Sequence, residues 1–376
     1  MVRSGARARK AGDHTCQNSG TGVAETSILR DLSGLALLRP IIRAGQSFMK
    51  QAELQGIAER YAAFATDEAR GSSPAYERLA LGVASSDDLL KFIATLPSKK
   101  RQPNLFLAAV RHVCGVPRTI DDLTQFVRAR QAEIREVMLS RTTQTNEPAR
   151  CAVLLPLLGQ LPQPLALLEV GASAGACLLP DHYGYDYGNV RIDPTVSGES
   201  SAPVFTCEVS GATPIPKSIP RIAWRAGLDL NPVDVRSEHD AAWLETLVWP
   251  EQNERVAGLR AAINIARHDP PNVVRGDLLT DLPKLASTSP RDATLVVFHT
   301  AVLGYVLPLS AREQFAATVK QTGAVWISNE PPNVFPSIAK AARSSPAAGR
   351  FLISRNGAPV AWAGPHGQSL DWFGAT

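Results

Sequence analysis

Apolar residues recur at helical spacing through the first half of the chain. Between residues 46 and 158 they stand three or four positions apart, as at Leu54, Ile57 and Tyr61. Prolines typical of first helical turns punctuate the pattern, at Pro74, Pro97, Pro103, Pro117 and Pro148. The pattern predicts a helical N-terminal domain over residues 46–160, with five or six short helices and no strand.

After Pro164 the pattern changes to short apolar runs. The first run, Leu165–Val170, is continuous and ends at a glycine turn, which is typical of a strand buried on both faces. Similar runs follow at Ala226–Leu230, Asn272–Gly276, Ala293–His299 and Ala324–Ser328. Amphipathic segments that predict helices lie between them, at Asp240–Leu247, Glu251–Ala266 and Ala311–Lys320. Strands that alternate with helices predict a doubly wound, mainly parallel sheet with helices on both faces.

The C-terminal part of the chain has an alternating pattern instead. Asn356-Gly357 stands between two alternating runs within Phe351–Trp362, which is a strong signal for a type I′ hairpin. The predicted fold class is therefore α/β, with a Rossmann-like sheet and an antiparallel hairpin over residues 161–376. The interval between the first two strands is longer than a helix needs, so we predict an inserted β-rich flap at about residues 178–225.

Charge is concentrated near the N-terminus. Residues 1–50 contain eight Lys or Arg and three Asp or Glu, which leaves 31 basic and 32 acidic residues in the rest of the chain. The net charge of +4 therefore indicates no basic face for nucleic acid in the body of the protein. Residues 1–45 lack apolar periodicity and are predicted to be a disordered extension, with a basic nucleic-acid arm as the alternative. Met49 begins an amphipathic stretch, which raises the hypothesis of a later translation start.

The composition argues against several kinds of site. The five cysteines are odd in number and form no C-x-x-C pair, which predicts reduced thiols in a cytoplasmic protein. The seven histidines lack ligand spacing, so no metal is expected. Apolar runs stay well below the ~18 residues that a membrane span needs, so no membrane partner is expected either.

The turn after the first predicted strand, "EVGASAG", fits two motifs. From Gly171 it is G-x-S-x-G, the elbow on which hydrolases mount a nucleophile, here Ser173. From Glu169 it is E-x-G-x-S-x-G, which is close to a nucleoside-binding loop. A nucleoside-binding loop follows the first strand of its sheet, as this one does, whereas a hydrolase elbow follows a later strand. The second interpretation is therefore preferred. The hydrolase alternative has candidate triad partners at Asp277, Asp292, His299 and His366.

Glycine and acidic positions at successive strand ends support the nucleoside interpretation. Gly171 and Gly175 would let the backbone turn closely around a ligand, and the N-terminus of a following helix would attract a carboxylate. Glu169 is placed to bind an amino group. Asp229 is placed to accept hydrogen bonds from both ribose hydroxyls, and Asp277 from an adenine amino group.

The segment Leu165–Ser328 and the terminal hairpin resemble class I S-adenosylmethionine-dependent methyltransferases. The body from about residue 50 resembles an uncharacterised bacterial family, a domain of unknown function, through "RTTQTNEPARCAVLLP", "EVGASAG", "DHYGYDYG", "GLDLNPVD" and "LVWPEQ". The first resemblance implies methyl transfer to a small-molecule acceptor, with S-adenosylmethionine held by Glu169, Gly171, Ser173, Gly175, Asp229 and Asp277. Ser173 stands where the methyltransferase loop has glycine. A non-catalytic nucleoside-binding or scaffold protein is the alternative.

Two residues are candidates for the chemistry of transfer. His299 ends the fourth predicted strand, where its imidazole could act as a general base. A structural histidine that caps the strand is the alternative. Glu330 in "SNEPPN" is a candidate contact for a small acceptor. That segment resembles an element of DNA amino-methyltransferases but lacks its aromatic residue, so DNA is not expected as the substrate.

Further candidates would contact the acceptor. Tyr183 and Tyr185 could line an aromatic pocket, with attachment of the flap to the domain as the alternative. Arg141, Gln144 and Asn146 precede the first strand and are candidate lid or substrate residues. Helix capping is the alternative interpretation of Asn146.

Overall fold

A computed structural model describes residues 51–196, 202–343 and 345–374. The chain divides into two compact units, residues 1–56 and residues 57–376. Every site discussed below lies in the second unit. The predicted disorder of residues 1–45 and the hypothesis about Met49 fall outside the described residues.

Helices fill the described chain before the first long strand. They are α1 (residues 51–64), α2 (Pro74–Ala84), α3 (Asp87–Ala94), α4 (Pro103–Cys114), α5 (Ile120–Ala129), α6 (Gln131–Ser140) and α7 (Cys151–Leu158). Local signals set their starts: Ser73 caps α2 by accepting the N–H of Tyr76, and Thr119 caps α5 in the same way. Residues 74–158 contain no strand, as the apolar periodicity predicts.

Strands and further helices follow. The strands are β1 (Leu165–Val170), β2 (Gly184–Asp186), β3 (Arg191–Ile192), β4 (Val204–Thr206), β5 (Glu208–Ser210), β6 (Ile222–Asp229), β7 (Asn272–Arg275), β8 (Thr294–Thr300), β9 (Val325–Glu330), β10 (Phe351–Arg355), β11 (Ala358–Ala363) and β12 (Ser369–Trp372). The helices are α8 (Glu238–Leu247), α9 (Asn253–His268), α10 (Leu282–Ala286), α11 (Leu309–Gln321) and α12 (Pro336–Ala341).

Nine strands form one large sheet in the order β5-β12-β11-β10-β9-β8-β1-β6-β7. The five strands β7, β6, β1, β8 and β9 are mutually parallel, and they correspond to the five apolar runs of the sequence. The chain leaves β1 toward β6 and β7 and then returns to β8 and β9 on the other side. The prediction of an α/β fold with a large, mainly parallel sheet is confirmed.

Both faces of the sheet are covered. Leu165 and Leu167 pack with the apolar residues of α7 and α9 in one core, whereas Leu168 and Val170 pack with α10 and α11 in another. All six residues of β1 are buried. A strand that packs on both faces needs a nearly continuous apolar run, which explains why the sequence of β1 does not alternate and is apolar except for Glu169.

The hairpin β10–β11 extends the sheet beyond β9. Asn356 and Gly357 have φ angles of 53° and 81°, which is the left-handed conformation that a type I′ turn requires at both central positions. Strand β10 is antiparallel to β9, and β11 is antiparallel to β10. Between β1 and β6, strands β2, β3 and β4 form a small separate sheet, and β5 joins the edge of the large one.

Candidate functional site

A cleft of about 680 Å³ opens at the carboxyl edge of the parallel strands. Its volume lies within the range of about 300–1,000 Å³ that is usual for small-molecule sites. One wall consists of residues at or just beyond the carboxyl ends of β1, β6, β7 and β8, among them Gly171, Ser173, Asp229, Asp277 and Thr300. The opposite wall comes from the segments before α4 and after α6, and includes Lys99, Lys100, Gln102, Leu105 and residues 142–145.

The loop after β1, residues 171–175, is called the glycine loop below, and its backbone is left-handed at three positions. Gly171, Ser173 and Gly175 have φ angles of 72°, 50° and 73°. A Cβ at Gly171 would collide with the side chain of Val302, and one at Gly175 would collide with Pro271. Both glycines are therefore required by the close packing of the loop. Ser173 adopts the same backbone conformation with a side chain, which only a few per cent of non-glycine residues do.

The loop does not offer the free donors that the sequence led us to expect. All five backbone N–H groups from Gly171 to Gly175 already donate within the chain. The acceptors are the Leu228 carbonyl for the first two, then Asp229 Oδ2 at 2.8 Å, Asn146 Oδ1 at 2.9 Å and the Ala172 carbonyl at 2.6 Å. The helix expected after Gly175 is also missing, because Ala176–Leu178 form a single 3₁₀ turn. The structure therefore does not support the predicted binding of a ligand carboxylate by the N–H groups of this loop.

Asn146 holds this loop in place. Its Nδ2 donates to Ser173 Oγ at 2.9 Å while its Oδ1 accepts the N–H of Ala174, and the side chain is buried. Asn146 is therefore neither a substrate contact nor a helix cap. The hydroxyl of Ser173 has an amide as its neighbour instead of a histidine, so the geometry gives no support to the hydrolase interpretation.

The two aspartates predicted at strand ends do line the cleft. Asp229 is half-buried, and its second oxygen, Oδ1, accepts the N–H of Asn231 at 2.7 Å. Asp277 is exposed, and its Oδ1 accepts the N–H of Leu279 at 2.7 Å. A carboxylate oxygen has room for a second hydrogen bond, so both groups keep acceptor capacity on the cleft side.

Glu169 lies behind the loop rather than in the wall of the cleft. It is 4% exposed and shares the face of β1 that carries Leu167. Its Oε2 has no hydrogen-bond partner among the described residues. Burial, reinforced by the nearby Cys177, raises the pKa of Glu169 well above its usual range. A carboxyl group that favours its neutral form is a poor partner for an ammonium group.

His299 and Glu330 do not face the cleft, which corrects their assignment as candidate catalytic residues. His299 is fully buried, with Nδ1 at 2.7 Å from Glu330 Oε1 and Nε2 at 3.0 Å from the indole nitrogen of Trp326. Because an indole N–H can only donate, His299 Nε2 must accept, and the ring proton lies on Nδ1. Glu330 Oε1 also accepts the N–H groups of Val302 and Leu303. The pair ties the end of β8 to β9.

The flap tyrosines are likewise structural. Tyr183 and Tyr185 are fully buried, and their hydroxyls donate to the carbonyls of Ala176 at 2.8 Å and Pro180 at 2.6 Å. Neither side chain lines the cleft, so the expected aromatic substrate pocket is not formed by these residues. The hydroxyl-to-carbonyl bonds instead attach the flap to the turn that follows the glycine loop.

The remaining predicted residues lie near the cleft in different ways. Gln144 lines it, and its Nε2 donates to the Asn231 carbonyl at 2.8 Å, so it bridges the two walls. Arg141 points away and pairs with Asp240 and His239 of α8. The main residues that sequence reasoning missed are Lys99 and Lys100. The run "SKKRQ" marks them as basic, but nothing in the sequence connects it to the strand ends.

Neither a metal cluster nor a membrane span is found in the described chain. Within residues 51–196, 202–343 and 345–374, no group of three or more His, Cys, Asp or Glu side chains could hold a metal ion. In the same residues, no helix combines the length and the apolar character needed to cross a membrane.

A family model described as an uncharacterized protein conserved in bacteria, DUF2332, matches residues 58–372. The chain belongs to this family. Comparison with curated proteins and with solved structures gave no match. The resemblance to an uncharacterised bacterial family is confirmed, and the family description assigns no activity.

The segments through which the sequence resembles this family surround the cleft or support its walls. "RTTQTNEPAR" supplies residues 142–145 of one wall and the loop-holding Asn146. "LVWPEQ" anchors the helical part, because Glu251 accepts both the hydroxyl of Ser73 at 2.5 Å and the N–H of Ala75 at 2.7 Å. Trp249 in the same segment donates from its indole to Asn104 Oδ1.

Proposed function

We propose that the protein binds S-adenosylmethionine in the strand-edge cleft and transfers its methyl group to a small-molecule acceptor. The observation that carries the proposal is the position of Asp229 and Asp277. Asp229 ends the second parallel strand along the chain, Asp277 follows the third, and both line one cleft together with the glycine loop that follows the first. Acidic groups in this order match the hydroxyls of a ribose and the amino group of a purine.

The topology supports the same proposal. Counted along the chain, the five parallel strands lie in the order third, second, first, fourth and fifth, which is the order of a Rossmann-like, nucleotide-binding sheet. In such sheets ligands bind beyond the carboxyl ends, where the strand order reverses. Gly171 and Thr300 lie at this point of reversal, between β1 and β8, and both line the cleft.

The nucleoside half of the cofactor fits the described residues. Asp229 and Asp277 each keep free acceptor capacity, and the apolar side chains of Leu228, Leu230 and Leu278 line the same end of the cleft. S-adenosylmethionine would supply an electrophilic methyl group on its sulfonium. The protein would orient the nucleoside through the two carboxylates and exclude water with the apolar lining. The amino-acid half needs donors other than the glycine loop.

A non-catalytic nucleoside-binding protein is the second candidate. It is favoured by the enclosure of His299 and Glu330, whose side chains bind Trp326 and the backbone after β8. Histidine, the commonest general base, is absent from the described lining of the cleft. Formation of S-adenosylhomocysteine in the presence of any acceptor would favour the enzyme, whereas binding without turnover would favour this alternative.

Calorimetric titration with S-adenosylhomocysteine tests the binding step. The wild type should bind, and Asp277→Asn should bind roughly tenfold more weakly because it loses a charge-assisted hydrogen bond worth about 1.5 kcal/mol or more. Asp277 is exposed, so the substitution leaves the core intact. Asp87→Asn is the matched control, since Asp87 is an exposed residue of α3 whose partner is Lys91. Absence of binding to folded wild-type protein would refute the proposal.

A further inference from the structure

The cleft has two charged poles. Asp229 and Asp277 lie on the sheet edge, whereas Lys99 and Lys100 lie on the opposite wall, both within the 3₁₀ turn Ser98–Lys100. Lys100 is half-buried, and one of its ammonium N–H groups donates to the Arg141 carbonyl at 2.6 Å. The two remaining N–H groups of Lys100 are available to a ligand.

No carboxylate of the described residues forms an ion pair with either lysine, in contrast to Lys91, which pairs with Asp87 one helical turn away. Burial lowers the pKa of Lys100, so the charged form is held in surroundings that do not compensate it. An anionic group in the cleft would provide that compensation. Lys99 is exposed at the same wall and makes no hydrogen bond to a described residue, so its ammonium group is free to follow a ligand.

The arginines near the strand ends already bond to other groups of the chain. Arg150 is buried, and its guanidinium donates to the carbonyl and hydroxyl of Thr300 and to the Pro365 carbonyl. Arg141 pairs with Asp240, and Arg275 donates to the Leu230 carbonyl. The cations that line the described cleft are therefore the two lysines.

We propose that Lys99 and Lys100 bind the carboxylate at the amino-acid end of the S-adenosyl ligand, in place of the glycine loop. The inference rests on the proposed function, and it follows from the loop itself, since all five of its N–H groups have acceptors within the chain. Thr142 and Thr145 line the same wall and carry hydroxyl groups that can donate to the carboxylate, whereas the hydroxyl of Thr143 donates to Gln102 Oε1 at 3.1 Å.

Two ligands that differ only at this end test the inference. S-adenosylhomocysteine carries the amino-acid end, whereas 5′-methylthioadenosine has the same nucleoside and thioether without it. Both are titrated calorimetrically into wild type, Lys99→Met, Lys100→Met and Lys100→Arg. Methionine keeps the apolar stem of lysine and removes the charge, and arginine keeps the charge. Lys91→Met is the matched control on α3, outside the cleft.

Each methionine variant should weaken S-adenosylhomocysteine binding roughly 10- to 100-fold, which is the usual value of a hydrogen bond to a charged group. Binding of 5′-methylthioadenosine should change less than about threefold, and this also reports that the nucleoside site is folded. Lys100→Arg should keep most of the affinity, and Lys91→Met all of it. The wild-type affinity for S-adenosylhomocysteine should fall more steeply with salt than that for 5′-methylthioadenosine.

Three results would overturn the inference in distinguishable ways. Unchanged S-adenosylhomocysteine affinity in both methionine variants refutes the role of the lysines while the proposed function stands. An equal loss of affinity for both ligands in Lys99→Met, whose side chain bonds to no described residue, assigns the lysine to the nucleoside and also refutes the inference. Wild-type protein that binds neither ligand refutes both this inference and the proposed function.

Discussion

Removal of the Asn146 side chain should destabilise the protein through the glycine loop. Asn146→Ala takes away the acceptor of the buried Ala174 N–H and the donor to the buried Ser173 hydroxyl. A buried polar group left without its partner costs about 1–3 kcal/mol, so the loss in unfolding free energy should be about 2–4 kcal/mol. Ser173→Ala removes only the second bond, leaves Asn146 Nδ2 unpaired, and should cost about 1–2 kcal/mol.

A double-mutant cycle separates this contact from general damage to the loop. Because the two single variants lose the same Asn146–Ser173 bond, the double variant should be about 1 kcal/mol more stable than the sum predicts. Urea unfolding of the four proteins measures the coupling from the shift in midpoint at constant slope. Asn146→Ala with Ser140→Ala is the control, since the Ser140 hydroxyl donates to the Glu136 carbonyl and contacts neither residue. Additivity of Asn146→Ala and Ser173→Ala within about 0.5 kcal/mol would refute a stabilising hydrogen bond between the two side chains.

Two further predictions concern the histidines. His299→Gln should lower the unfolding free energy by about 2–4 kcal/mol, because it disturbs buried bonds to Trp326 and Glu330, and should leave the affinity for S-adenosylhomocysteine unchanged. A loss of affinity in folded His299→Gln protein would return this residue to the binding site. Burial also lowers the pKa of His366 from its ordinary 6.5, so the unfolded chain takes up that proton first and stability should fall as pH drops below about 7. Burial would raise the pKa of Glu147, but its interactions with His366 and Arg255 outweigh burial and lower it. The loss of stability should therefore continue at more acid pH, where Glu147 becomes protonated in the unfolded chain. Urea unfolding between pH 7.5 and 5 should show the decline, with a shallower slope in His366→Gln, and stability that rises toward pH 5 would contradict this account.

The strands of the parallel sheet could be predicted because burial on both faces leaves a strong local signal. Leu165–Val170 is apolar in the sequence except for Glu169, and it is a fully buried strand in the structure. Once the strands are placed in chain order, the acidic residues that follow them must meet at one edge. Asp229 and Asp277 could therefore be predicted to lie at the same edge without coordinates, and both line the cleft there.

Side-chain partners that come from distant parts of the chain could not be predicted. His299 is the last but one residue of β8, close to the strand end where it was expected. Its role depends on Trp326 and Glu330 of the neighbouring strand, and only the register of β8 with β9 brings these together. The sequence also does not reveal that Asn146 takes the N–H of Ala174, or that Lys100 lies opposite the strand ends. In each case the deciding contact joins segments that have no common periodicity.

The backbone N–H groups of the glycine loop already have acceptors within the chain, so they are not free to bind the anionic end of a ligand. In a nucleotide-binding loop with free N–H groups, the anionic end of a ligand binds to the backbone, and no side chain of another segment is needed. Here Asp229 and Asn146 already satisfy the donors around Ser173, so the loop is fixed before any ligand arrives. A ligand with an anionic end must then find its cation elsewhere. Lys100, in the segment before α4, lines the cleft and is the cation that we propose for this role, which would give the helical region a direct part in binding. Loss of Asn146 should accordingly weaken the binding of both S-adenosylhomocysteine and 5′-methylthioadenosine by disordering the glycine loop in the cleft wall, whereas loss of either lysine should weaken mainly the first.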